Sequence, residues 1–153
     1  MQAALRLLGY RARSIHELHS RLLQKGFSPP VADRTVARLL HLGLLDDDAF
    51  AHDWVTMRPG RGPARLRQEL RLKGVASAVV EKAIQDGLTA EQELTAAWRI
   101  AARAIRTHTV PLAPADLLRV RRMLQRRGFS YEVVKSACAR LSDHLTNEEE
   151  WLE

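Results

Sequence analysis

Cysteine is nearly missing from this chain. Its 153 residues hold one, Cys138, so no disulfide can close within the chain and a reducing compartment suits it. Aromatic residues are also scarce, at 5%, and strands draw heavily on aromatic and β-branched side chains. Their shortage, beside abundant Leu, Ala and Arg, favours helices. No stretch nears the ~18 apolar residues that a membrane span needs. Arg6, Arg11 and Arg13 interrupt the apolar residues at the N-terminus, so no signal-peptide core forms. A soluble, cytoplasmic protein with no membrane partner is expected. There is no Gly-rich phosphate loop and no nucleophile motif around a Ser or Cys. The chain is therefore expected not to be an enzyme, and no cofactor is implied.

What is present is apolar and basic. The hydrophobic fraction of 46% is enough for a folded core. Twenty-four Lys and Arg face eighteen Asp and Glu, giving a net charge of +6 and a pI near 10.2. Lysine is rare among the basic residues. Arginine's flat fork suits phosphate and carboxylate, and such an excess suits an anionic partner.

Helix signals recur from end to end. Ser14 with Glu17, and Thr89 with Gln92, have the spacing of capping boxes. Ser28 before Pro29 and Ser130 also read as N-caps. Asp46, Asp47 and Asp48 resemble a carboxylate site, but acidic groups at the positive start of a helix explain them more simply. His16 and His19 make at most half a metal site, and no further ligand completes it. No metal is expected. Two prolines in residues 107–114 mark a linker, and the acidic tail from Thr146 is expected to fray.

Three segments align on their glycines, Gly26, Gly74 and Gly128. Apolar residues stand eight before (Leu18, Leu66, Val120) and four before (Leu22, Leu70, Leu124). A basic residue comes immediately before: Lys25, Lys73 or Arg127. An apolar one comes immediately after, as Phe27, Val75 or Phe129, and is expected to plug the corner. Others follow by five (Val31, Val79, Val133) and by ten (Val36, Ile84, Cys138). Each segment reads as a helix, a left-handed glycine turn and a second helix packed back. A further helix precedes each pair, so nine helices in three repeats are expected. The expected class is all-α, an elongated and curved body of three tandem three-helix repeats. The boundaries expected are 1–46, 47–87 and 88–145, with an acidic tail at 146–153.

These segments resemble the RecX family of regulatory proteins, bacterial modulators of the RecA recombinase. The resemblance runs from about Ala3 to Leu141. It rests on ALRLLGYRARSIHEL, GLLDDDAFA, RRMLQRRGFS and, most specifically, GRGPARLRQELRLKGV. It implies tandem three-helix units that bind RecA filaments on single-stranded DNA and lodge in the filament groove. It implies a lowering of RecA's ATPase, strand-exchange and repressor-cleavage activities and a limit on filament growth, without a cofactor. A monomer acting in DNA repair and recombination is expected.

The residues themselves offer three basic stripes as the contact. Arg58, Arg61, Arg65, Arg67, Arg71 and Lys73 share one stretch with a single acidic residue, Glu69. Arg99, Arg103 and Arg106 are spaced to share a helix face, as are Arg119, Arg122 and Arg126. Together they are the expected binding surface for RecA or DNA, with salt-sensitive affinity. A competing expectation is a sequence-tolerant or helix-turn-helix DNA-binding protein. Against it, the helices after the three glycines begin SPPVADR, ASAVVEK and SYEVVKS, poor in base-reading side chains.

Overall fold

A computed structural model describes residues 1–105 and 113–149 of the chain. Among them are nine α-helices and no strand. In order they are α1 (Gln2–Tyr10), α2 (Ile15–Gln24), α3 (Pro29–His41), α4 (Asp47–Thr56), α5 (Pro63–Leu72), α6 (Ser77–Gly87), α7 (Ala90–Ile105), α8 (Pro114–Arg126) and α9 (Tyr131–Glu149). The all-α class built from three-helix repeats is therefore the one expected. The chain forms two compact units. The first holds Met1–Val55 and Arg67–Gly87, and the second holds Thr56–Leu66 and the described residues from Leu88 onward. Helix α5 thus begins in one unit and ends in the other.

The helix starts follow the local chemistry with two departures. Thr89 and Gln92 close a full capping box, at 2.9 and 3.2 Å. Asp46 Oδ1 accepts from the Asp48 and Ala49 N–H groups, so the acidic triplet does begin with a helix cap. Ser130 Oγ accepts from the Val133 N–H. Ser14, however, forms only half a box. Its Oγ accepts from the Glu17 N–H, while the Glu17 carboxylate is drawn away to Arg11 and Lys73. Ser28 makes no side-chain cap bond before Pro29, where the ring already presets the helical φ. The expected linker lies outside the described residues except for Ala113 and Pro114, which start α8. Residues 146–149, expected to fray, continue α9; the tail beyond, with Trp151, lies outside the described residues.

The cores follow the repeat. Leu18, Leu22, Val36 and Leu39 pack with Ala4, Leu7, Ala32 and Leu45 under the first three helices. In the second unit, α7 supplies Ala97, Ala101 and Ile105. Helix α8 adds Val120 and Leu124, and α9 adds Val134, Ala137, Cys138 and Leu141. Cys138 is the buried filler its repeat position implied. Val75 and Phe129 plug their corners, at 4% and 5% exposed. Phe27 does not: it is 39% exposed, because no described residue comes within 4 Å of where a Cβ at Gly26 would lie.

The second and third turns are covered by one and the same device. Ser14 and Gly62 each stand twelve residues before a turn glycine in the repeat. The Ser14 hydroxyl donates to the Lys73 carbonyl, just before Gly74. The Gly62 N–H donates to the Arg127 carbonyl, just before Gly128, at 2.8 Å, and the Ala64 N–H donates to the Gly128 carbonyl at 3.2 Å. In both cases the start of one repeat's second helix sits on the next repeat's turn. Gly74 and Gly128 have φ of +74° and +85°, the region that side chains with a Cβ avoid. They also lack room for a Cβ. One at Gly74 would lie 2.4 Å from His16 Cβ, and one at Gly128 would lie 2.3 Å from the Arg65 nitrogen. A Cβ at Gly62 would lie 2.2 Å from the Gly128 carbonyl carbon. At Gly26 a Cβ would meet nothing within 4 Å.

This contrast separates two costs of replacing a turn glycine. Gly26→Ala is expected to cost only the left-handed backbone, about 1 kcal/mol. Gly74→Ala adds the overlap with His16, bringing a further loss of about 1–3 kcal/mol. Urea unfolding of both variants measures the difference. Equal losses would show that the covered turn contributes no packing of its own.

Candidate functional site

The two covered turns share a backbone and differ in charge. At the first, Glu17 sits nine residues before Gly26 and accepts from Lys73 Nζ at 2.8 Å and from Arg11 at 3.1 Å. Lys73 Nζ also lies 4.2 Å from the centre of the Trp54 ring, a favourable cation–π distance. Trp54 Nε1 donates to Glu69 at 3.1 Å. Burial alone would raise the Glu17 carboxyl, but hydrogen bonds from Arg11 and Lys73 and their charges hold it down at about 2. Asp47 completes this turn by accepting the Ile15 N–H at 2.9 Å. Burial raises the Asp47 carboxyl against that bond. Lys73 is therefore spoken for within the fold.

At the second covered turn the counterpart of Glu17, nine residues before Gly74, is Arg65. A cation stands where the first turn has its carboxylate. Arg127, the counterpart of Lys73, reaches the Gly60 carbonyl through Nη1 at 3.5 Å. Beside this contact opens a groove of about 680 Å³. Arg58 and Arg61 line it from the segment before α5, and Arg126 and Arg127 from the end of α8. Met57 and Met123 supply apolar walls, and no carboxylate is among the described lining residues. The carboxyl end of α8 eases this crowding of positive charge, because the helix dipole favours cations there. Four guanidinium groups over methionine walls suit a phosphate or carboxylate ligand.

The structure thus gathers Arg58, Arg61 and Arg126, and adds Arg127. The sequence reading placed Arg127 in the repeat but not in the binding set; its position immediately before a turn glycine is the signal that marks it. Arg65 is half-buried, with its backbone and Cβ against Gly128. Arg67 and Arg71 belong to the first unit and are engaged with Glu81, at 2.9 and 4.0 Å. Hydrogen bonding from Arg67 lowers the Glu81 carboxyl. Arg99 and Arg103 on α7 and Arg119 and Arg122 on α8 are exposed and do not line the groove. Arg106 lies outside the described residues. No group of three metal-ligating side chains occurs among the described residues. No helix among them is long and apolar enough to cross a membrane.

Two family models match the chain in succession. Residues 1–39 match the RecX first three-helix domain, and residues 46–84 match the second. The chain belongs to the RecX family. It is 38% identical over 143 residues to Regulatory protein RecX of Halorhodospira halophila, covering 90% of this chain and 84% of that one. It is 39% identical over 133 residues to a Mycobacterium sp. (strain JLS) relative of the same name, covering 82% and 72%. A Geobacillus kaustophilus relative is 32% identical over 151 residues, and there the match spans 56% of the relative. The crystal structure of RecX from Lactobacillus salivarius has the same fold, with a TM-score of 0.82 at 20% identity over 93% of each chain. The two RecX domain matches coincide with α1–α3 and α4–α6 to within a turn.

The Glu17 network carries a pH signature. Its folded-state carboxyl lies well below the ordinary 4.5. Its stabilisation is therefore complete above pH 4.5 and is lost as pH falls towards 2. Glu17→Gln is expected to cost about 2 kcal/mol near neutral pH, a difference that shrinks below pH 4.5. Denaturant unfolding of both proteins between pH 7 and pH 2 checks this, and a difference constant with pH would contradict it.

Proposed function

We propose that this chain inhibits the RecA recombinase by binding RecA filaments on single-stranded DNA. It limits filament growth and lowers ATPase, strand-exchange and repressor-cleavage activities. Membership of the RecX family supports the target, and the arginine groove supports the means. A nucleoprotein filament presents phosphates and acidic side chains, and the groove is lined by four arginines whose charge suits both. The exposed arginines of α7 and α8 extend the positive surface beyond it. Arg67, Arg71 and Lys73 contribute less, since Glu81 and Glu17 already hold them. The chain acts without a cofactor and without chemistry of its own, as a cytoplasmic monomer of three repeats bounded near residues 46 and 87.

Titration of the chain into a RecA ATPase reaction on single-stranded DNA tests this reading. A dose-dependent fall in ATPase is expected. Reversing Arg61 and Arg126 together to Glu should raise the half-inhibiting concentration about tenfold or more, with helicity by circular dichroism unchanged. A second measurement reads the groove directly. Each groove cation that neutralises a phosphate contributes about 0.7 to the salt slope of single-strand binding, so Arg126→Ala should flatten the slope by about that much. Undiminished inhibition by the double reversal would rule out the groove. An unaffected ATPase with the unaltered chain would rule out the function.

A further inference from the structure

Four left-handed glycine turns occur among the described residues. Three of them, at Gly26, Gly74 and Gly128, have a basic residue before the glycine where Gly43 has Leu42, and two of these three show what covers such a turn. On the Gly74 and Gly128 turns sits the first turn of a helix. Its small leading residue, Ser14 or Gly62, hands a hydrogen bond to the carbonyl before the glycine. The apolar residue after each glycine is then buried, Val75 and Phe129 alike. The Gly26 turn has the same left-handed glycine, with φ of +87°. Here the space above the glycine is open among the described residues and Phe27 stays 39% exposed. The Lys25 carbonyl holds the position from which the Lys73 and Arg127 carbonyls accept.

We infer that the Gly26 turn is a docking surface for the capped, acid-bearing start of a partner protein's helix. The occupant's chemistry follows from the first covered turn. A small residue there donates to the turn carbonyl, and an acidic residue three positions later meets the lysine before the glycine, as Ser14 and Glu17 do with Lys73. Lys25 precedes Gly26 as Lys73 precedes Gly74, so the same acidic residue would find the same cation. The second covered turn, with Arg65 in that place, shows that the backbone contact also forms without the acid. A helix start with Ser and Glu at this spacing is therefore the better fit to Gly26. This surface shares no residue with the arginine groove and does not depend on the function proposed above.

The probe is a peptide copy of residues 11–24 with blocked ends, held helical by a lactam on its outer face because so short a helix is marginal in water. It is titrated into the 153-residue chain carrying ¹⁵N. Saturable amide shifts centred on Gly26 to Val31 are expected. Phe27→Glu in the chain, or Glu17→Lys in the peptide, should each weaken binding about tenfold, about 1.4 kcal/mol. If Phe27→Glu alters the fold by circular dichroism, Val31→Glu on the same surface takes its place. Absent shifts overturn the inference, as do shifts confined to the Gly74 turn, where the peptide would merely replace its own parent segment. Concentration-dependent shifts at Phe27 without peptide would assign the surface to a second copy of the chain and overturn it too.

Discussion

Each covered turn depends on a close approach of one helix start to the end of another helix, permitted by glycine. A carbonyl at the end of one helix must accept from the start of another, and the chain at that point leaves no room for a Cβ. Gly62 against Gly128, and Gly74 against His16, are the two instances. The approach costs side-chain volume and recovers a buried hydrogen bond that would otherwise leave a polar group unsatisfied. Because it recurs in the same register, it links one repeat to the next by rule and not by accident of packing. It also accounts for the GRGP segment. Gly62 is held by contact, Pro63 opens α5 where its missing N–H costs nothing, and Gly60 offers its carbonyl to Arg127.

On this repeated frame the charges were varied. One turn keeps its cation inside the fold, with Lys73 between Glu17 and Trp54. The other replaces the carboxylate with Arg65 and turns the neighbouring arginines towards a groove. The geometry is shared, so the difference lies in the side chains alone. The same helix-and-turn contact thus carries a carboxylate-paired cation in one case and a cluster of arginines in the other. Surface ion pairs such as Arg67 with Glu81 contribute little to stability, but they withdraw a guanidinium from competition for an external anion.

Much of the architecture was readable beforehand because it is written in local periodicity. The spacing of Leu18, Leu22 and Val36 about Gly26 and their counterparts about Gly74 and Gly128 mark core faces, and all of these are buried. The capping residues Thr89 and Asp46 act locally and were equally plain. What misled the reading was non-local. Glu17 has capping-box spacing, yet two cations from elsewhere hold its carboxylate more strongly than one backbone N–H could. Phe27 occupies the same repeat position as Val75 and Phe129, yet burial depends on whether a neighbouring helix arrives.

By itself the sequence determined the helical class, the glycine turns, the core faces and the excess of arginine, since each arises from residues a few positions apart. Which arginines meet, and which are held by carboxylates, depended on tertiary structure. Arg61 and Arg126 are far apart in the chain and line one groove; Arg67 and Glu81 meet across a turn. Charge acts through space and falls off with distance, so a basic stripe in sequence becomes a binding surface only after the fold has assigned every nearby carboxylate to its partner.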